Sequence, residues 1–479
     1  METDDARDSA PRHPLAPDWL VEPDDANGLV AGVWSDRTAR ASDGVLAIDG
    51  VTAPSLAEQF GTPLYVIDEA DSRRRARETR EAFERELGRI GTDVTVYYAG
   101  KAFLSTEVAR WMRDEGLNID ACSGGELAVA LAAGIEPERL GLHGNNKSYV
   151  EIDRAVDAGI GAIVLDSLIE IERVAASAER AGRVQAVRLR VNSGVHAHTH
   201  EFLATAHEDQ KFGIALADCP EAVARIRSHQ SLRFLGLHCH IGSQIFGAAG
   251  FAESASRLLD VHAELLADGP VPDLNLGGGF GIAYTSADDP TPIGEIAAAI
   301  ADAVAEQCAS RGIPVPHIAI EPGRSLIGPS GLTLYEVGTI KDVTVGGEAS
   351  TSVRRYVSVD GGMSDNARPA LYGADYTARI AGRTSDAEPA LVRVAGKHCE
   401  SGDIVVHDDF LPADVRPGDL LAVAATGAYC WSLASNYNYL GRPPVVAVRD
   451  GSARVIVRGE TEEDILRRDV GIERKATLR

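Results

Sequence analysis

At 479 residues, with 44% hydrophobic and 25% charged side chains, the chain is long enough for two or three domains with sizeable cores and too apolar to be a disordered chain. Lysine and arginine number 47 against 71 aspartates and glutamates, a net charge of −24, so the average surface repels nucleic-acid phosphates and anionic lipid heads while still allowing a basic pocket for an anionic ligand. The six cysteines, at 122, 219, 239, 308, 399 and 430, form no C-x-x-C pair, which argues against a disulfide framework or a metal site and for reduced thiols. Residues 1–40 lack the apolar core of a signal peptide and no apolar run approaches membrane-spanning length, so a soluble, cytoplasmic protein is expected, with no nucleic-acid or membrane partner.

In chain order, residues 1–43 carry Asp4, Asp5, Asp24 and Asp25 among prolines without periodicity and read as an irregular acidic extension in which little function should reside. Residues 44–68, with GVLAIDGVTA and TPLYVID, are expected to supply strands to a later β domain. From Val94 onward, β-rich runs alternate with helical stretches: VTVYYA (94–99), LNIDA (117–121), LGLHG (140–144), AIVLD (162–166), VRLRV (187–191), LGLHCH (235–240), DLNLGG (273–278) and HIAIEP (317–322). Amphipathic segments such as 105–115, 124–133, 167–181 and 251–267 lie between them, with Gly116, Gly134 and Gly182 where helix C-caps belong. Eight strand-helix units over 69–325 predict a (β/α)8 barrel. From 326 to 479 strand follows strand, from TLYEVGTIKDV to ARVIVRG, which predicts a separate C-terminal β-sandwich or β-barrel domain.

Working residues of such a barrel stand at the C-terminal ends of its strands. Those ends are polar: Tyr98-Ala99-Gly100-Lys101 after strand one, His238-Cys239-His240 with Gly242-Ser243 after strand six, Gly277-Gly278-Gly279 after strand seven and Glu321-Pro322-Gly323-Arg324 after strand eight. Any one of these has a bland reading, a solvated lysine or a tight turn. Together on one rim they point elsewhere. A glycine triplet lets backbone N–H groups approach a phosphate, Arg324 can add a charged contact, and a lysine beside them suits a phosphorylated aldehyde held as a Schiff base, pyridoxal 5'-phosphate. A free lysine amine, with an ordinary pKa of ~10.4, is neutral only about once in 2,500 at pH 7, so a preformed imine removes a heavy penalty on amine attack.

The runs YYAGKA (97–102), HCHIGSQI (238–245), LNLGGGFGI (274–282), EPGRS (321–325), DNARPALYGA (365–374), CESGD (399–403) and GAYCWSLASNYN (427–438) resemble the signatures of the diaminopimelate decarboxylase family, pyridoxal-phosphate enzymes with an alanine-racemase-like barrel and β domain. The resemblance runs from about residue 46 to 460, and the segment HAHTHEFLATAHEDQKFGI (196–214) is especially similar. It implies that Lys101 carries the cofactor, that His240 stacks on the pyridine ring with Glu126 orienting it, and that Asp120 supports the site from behind. By the same resemblance Ser243, Gly279 and Arg324 contact phosphate or substrate, and Glu321 faces the pyridine nitrogen, where a carboxylate favours the protonated, electron-withdrawing ring. Arg368 and Tyr372 are similar to the pair that grips a substrate carboxylate, Glu400 to the residue that senses the distal ammonium, and Tyr429 to one touching both cofactor and substrate. Cys399 resembles the proton donor that reaches the site from the partner chain of a homodimer, a role suited to a thiol, which is largely protonated at pH 7. Two positions depart from the family pattern: Gly100 stands where relatives often have a larger residue and Phe103 where many have asparagine.

The implied reaction is decarboxylation of meso-2,6-diaminopimelate to L-lysine and CO2. A decarboxylase of ornithine or arginine type is the first alternative, and a distal-carboxylate grip through Arg368 argues against it. A catalytically inactive binding protein would need neither Lys101 nor Cys399. An alanine racemase would carry arginine rather than Glu321.

Overall fold

The computed structural model describes residues 13–195, 211–347 and 350–472; Asp4, Asp5 and residues 196–210 of the 196–214 segment lie outside the described residues. The chain divides into two compact units, one made of 71–282 and 289–328, the other of 1–70, 283–288 and 329–479. These boundaries differ from the expected ones at 68 and 325 by a few residues and add the excursion at 283–288.

The β unit opens with an antiparallel meander of β1 (Thr38–Arg40), β2 (Leu46–Ile48) and β3 (Val51–Thr52). Helix α1 (Ala53–Phe60) follows, with Thr52 accepting the Ser55 N–H as N-cap, and then β4 (Leu64–Asp68), buried along its whole length. The expectation of an irregular, idle extension up to 43 is corrected here. β1 lies inside it, and the chain before β1 is fastened: Asn27 Nδ2 donates to Ser385 O at 2.8 Å while Ser385 N donates back to Asn27 Oδ1 at 3.0 Å, and Leu20 packs with Leu391 and Phe410. The acidic and proline-rich composition hid a short apolar anchor, Leu15, Trp19 and Leu20, that has somewhere to go.

After α2 (Glu69–Arg89) come the barrel strands β5 (Val94–Ala99), β6 (Asn118–Ala121), β7 (Leu140–Leu142), β8 (Ala162–Leu165), β9 (Gln185–Asn192), β11 (Leu232–His238), β12 (Asp273–Asn275) and β13 (His317–Ile320), with a two-residue β10 (Ile214–Ala215) beside β9. All pair in parallel, and β13 returns to β5 with Ile318 opposite Val94, so eight strands close. Helices α3 (Thr106–Asp114), α4 (Gly124–Ala132), α5 (Tyr149–Ala158), α6 (Leu168–Ala181), α7 (Cys219–Ser228), α8 (Ala249–Leu266) and α9 (Ile293–Arg311) separate them, and α10 (Arg324–Ile327) follows β13. Local chemistry sets the ends. Ser105, Ser123 and Ser148 accept backbone N–H groups as N-caps of α3, α4 and α5, and Gly159, Gly182 and Gly312 close α5, α6 and α9 in the left-handed conformation. The expected strand eight and strand six runs overshoot because their last residues turn outward onto the rim, which is where function needs them.

The second part of the β unit is a mixed sheet. β14 (Gly331–Gly347) and β15 (Ser350–Val359) form a long antiparallel pair; α11 (Arg368–Tyr372), β16 (Ala378–Ile380), β17 (Pro389–Ala395), β18 (Ile404–Pro412), β19 (Leu420–Ala424), β20 (Val445–Arg449) and β21 (Ser452–Val457) follow. The order is β18-β17-β15-β14-β4-β20-β21, with β19 joining β14 to β16. β4 thus lies between strands made far later in the chain, antiparallel to β14 and parallel to β20. Among the described residues no helix is long and apolar enough to cross a membrane.

Candidate active site

In the barrel unit, β5 hands the chain to a single 3₁₀ turn, Gly100–Ala102, which leaves Lys101 exposed at the rim while Ala102 and Phe103 are buried. The departure at Gly100 has a steric reason: a Cβ there would stand 2.8 Å from the Asp120 carbonyl oxygen. Phe103 is buried and its carbonyl accepts the Tyr98 hydroxyl, so it braces the turn that presents Lys101. The Lys101 ammonium bears electrostatically on Cys122, Glu126 and His240. Burial, and then Lys101, push His240 down to about 3, so its ring is the neutral, flat imidazole that stacking on an aromatic ring calls for. Its Nδ1 accepts the Gly278 N–H at 3.3 Å. The Glu126 carboxylate accepts the Cys122 N–H at 2.6 Å, and among the described residues no hydrogen bond joins it to His240.

The glycine triplet is obligatory on steric grounds. A Cβ at Gly277 would meet Cys239 O at 2.4 Å, at Gly278 Glu321 O at 2.0 Å and at Gly279 Gly242 O at 2.4 Å, and Gly277 and Gly279 have φ of +71° and +117°. Three strand ends are therefore drawn together around backbone that no side chain can cover. On the same rim Arg324 Nη2 donates to Ser243 Oγ at 2.8 Å, and Ser325 Oγ is buried with no hydrogen-bond partner among the described residues. A cradle that excludes Cβ atoms, an arginine, a serine pair and a rim lysine fit a phosphorylated aldehyde.

Behind the rim lies a buried acid-imidazole cluster that sequence reading met only in part. Glu321 Oε2 accepts from His238 Nε2 at 3.1 Å and Oε1 from Asn275 Nδ2 at 2.6 Å. His143 Nε2 lies 3.4 Å from Glu321 Oε1 and 3.1 Å from Asp120 Oδ1. Although burial opposes it, His238 and His143 hold Glu321 well below the usual carboxylate range. Burial, and then the charge of Glu321, raise Asp120 to about 6, and burial lowers His238 to about 4. Asn275 and His143 were not singled out as site residues and His238 was noted only as part of the strand-six rim; the polar residues within or ending the expected strands were the available signal.

In the β unit, Arg368 is buried with its guanidinium 4.6 Å from the Tyr284 ring centroid and 5.5 Å from that of Tyr376, whose hydroxyl it also meets. Among the described residues no carboxylate forms an ion pair with it. Tyr372, four residues on, is 69% exposed, so the expected Arg368–Tyr372 pair is not assembled within α11: the arginine turns onto the edge-to-face pair of Tyr284 and Tyr376 and the tyrosine out to solvent. Cys399 and Glu400 sit exposed on a loop whose fixed point is Asp403. That buried carboxylate accepts Met363 N–H at 2.6 Å and His398 N–H at 2.7 Å, and Asn438 Oδ1 reaches His398 Nδ1 at 3.0 Å. Glu400 itself caps Ser401 and Gly402. Tyr429 is half-buried with φ +60°, a costly backbone setting for a bulky residue that aims its ring.

The model of the pyridoxal-dependent decarboxylase, pyridoxal binding domain, matches residues 71–328. Over 450 residues the chain is 53% identical to a diaminopimelate decarboxylase of Mycobacterium tuberculosis, covering 92% of this chain and 98% of that one. The chain belongs to the diaminopimelate decarboxylase family. A second family member, from Bacillus subtilis, is 45% identical over 89% of this chain and 95% of its own. The crystal structure of a diaminopimelate decarboxylase from M. jannaschii in complex with L-lysine superposes with a TM-score of 0.83 at 32% identity, over 91% of this chain and 98% of that one. Diaminopimelate decarboxylases of this family use pyridoxal 5'-phosphate, and the glycine cradle, Ser243, Arg324 and Lys101 are the groups here that suit it.

Proposed function

We propose that the chain removes CO2 from the D-centre of meso-2,6-diaminopimelate to give L-lysine, as a cytoplasmic homodimer whose sites draw on both chains. The observation that carries the substrate reading is Arg368: a guanidinium buried against an edge-to-face pair of tyrosine rings and lacking a carboxylate partner among the described residues is a strong recruiter of an anion, because burying a lone charge is costly until it is paired. Ornithine and arginine have no distal carboxylate to offer it, whereas diaminopimelate keeps one in the product.

When bound, pyridoxal phosphate supplies an electron sink for the carbon that loses CO2. The chain's own groups do the rest. Lys101 would hold the cofactor aldehyde through its amine, giving it up to the incoming substrate amine; Gly277 to Gly279, with Ser243 and Arg324, would hold the phosphate, His240 would lie against the ring, and Glu321 would favour a proton at the pyridine nitrogen. Arg368 grips the distal carboxylate, Glu400 the distal ammonium, and Tyr429 borders both ligands. Cys399 delivers the proton that replaces CO2, which an exposed thiol on an anchored loop can do from a partner chain. Six free cysteines accord with a reducing compartment.

The test is a substrate panel. Supplied separately with meso-diaminopimelate, ornithine and arginine, the protein should release CO2 and form lysine only with the first, and Arg368→Gln should raise KM for it at least tenfold. Equal turnover of ornithine would replace this reading by the basic-amino-acid one.

A further inference from the structure

Three buried titratable groups of the barrel unit come from three separate strands: Asp120 is the penultimate residue of β6, His143 follows β7 and Glu321 follows β13. A single nitrogen, His143 Nε2, stands 3.1 Å from the first carboxylate and 3.4 Å from the second. Resting on the reading that Glu321 faces the pyridine nitrogen, we propose that His143 is a positioning residue whose shared N–H and charge separate the two buried carboxylates, so that Glu321 stays an anion aimed at the cofactor while Asp120 takes any surplus proton.

Three features support this. Glu321 accepts on both oxygens, from His238 and Asn275, with the His143 imidazole 3.4 Å away, and a carboxylate so served prefers to be ionised. Asp120 Oδ2 is buried with no hydrogen-bond partner among the described residues, the natural seat for a proton. The two imidazoles are also unequal. His238 bonds Glu321 through Nε2, packs edge-on against the His143 ring with centroids 5.0 Å apart, and is driven neutral by burial, whereas His143 lies between two acids that raise it despite its burial. The charged groups facing His143 are Asp120, Glu321 and Arg190, and its own charge is felt in turn by Asp166, Glu126 and His238. Acids outnumber the one arginine, so a cationic His143 is compensated. Remove it, and two carboxylates within reach of one nitrogen compete for protons.

The test uses the pyridoxal-phosphate-loaded enzyme and reads the pH dependence of its visible absorption band alongside kcat and KM. His143→Asn keeps a hydrogen-bond donor but cannot carry charge. It is expected to retain the band, lower kcat roughly tenfold or more with KM within about twofold, and move the acid limb of both profiles upward by about one pH unit. The double variant His143→Asn/Asp120→Asn, with the competing carboxylate gone, should bring that limb back toward its original position. Asp120→Asn alone should move the limb downward, which keeps the test open if His143→Asn does not load cofactor. An unmoved limb in Asp120→Asn, or a double variant no better than the single one, overturns the proposal. Glu321→Gln separates the two layers: if it leaves band and kcat unchanged, the placement of Glu321 itself fails; if it alters them and the His143 and Asp120 variants do not, only the role of His143 falls.

Discussion

Lys101 is held at the rim by a turn whose other residues are buried, so its replacement removes a functional group without unpacking a core. Lys101→Ala is expected to abolish the visible absorption band of the cofactor-loaded protein and lower turnover on the order of a thousandfold or more; a band that survives in the variant rejects the lysine assignment. Asp365 makes a different kind of statement. Burial pushes this carboxyl up to about 7 even though Tyr335 donates to it, against an ordinary value of ~3.9. The folded chain therefore keeps a proton that the unfolded chain releases between about pH 4 and 7, and this group's contribution to stability declines as pH rises through that window. Thermal melts across it should show a flatter pH dependence for Asp365→Asn than for the parent chain; identical slopes would dismiss the idea.

Elements divide sharply in how well the sequence announced them. The eight barrel strands and the helices 106–114, 124–132 and 168–181 fall where period and caps put them, because each is a local pattern bounded by a serine before or a glycine after. The glycine triplet was legible as a place of close backbone approach for the same reason, and its steric demand gives a test of the phosphate cradle expected there. Gly278→Ala, with 2.0 Å between the new Cβ and the Glu321 carbonyl, should weaken pyridoxal phosphate binding at least tenfold in equilibrium dialysis, and unchanged affinity would refute the cradle. What stayed illegible was long-range: nothing in HGNNK reveals that His143 meets Glu321, 178 positions later, nor does RPALY show that Arg368 turns toward Tyr284. The anchor at Leu15, Trp19 and Leu20 was masked by its acidic surroundings. Deleting residues 1–35 should accordingly lower the melting temperature by several degrees, corresponding to about 1–2 kcal/mol of lost packing and hydrogen bonding; an unaltered melt would return the segment to an idle tail.

The whole molecule is where Cys399 acquires meaning, since the resemblance assigns it to the site of a partner chain. Lys101→Ala and Cys399→Ala chains, each inactive, should regain up to about a quarter of normal activity when unfolded and refolded together, because half of the randomly formed pairs are hybrids with one intact site of two. No recovery would argue for sites complete within one chain. The placement of β4 has a consequence for biosynthesis. This strand leaves the ribosome early, yet both of its neighbours, β14 and β20, are translated after the entire barrel. Throughout that interval its two hydrogen-bonding edges have no native partners, so a nascent or truncated chain ending near residue 328 displays an apolar, sticky ribbon of the kind chaperones shield. Fragments of this protein should be hardest to keep in solution when they include Leu64–Asp68 without the last third of the chain.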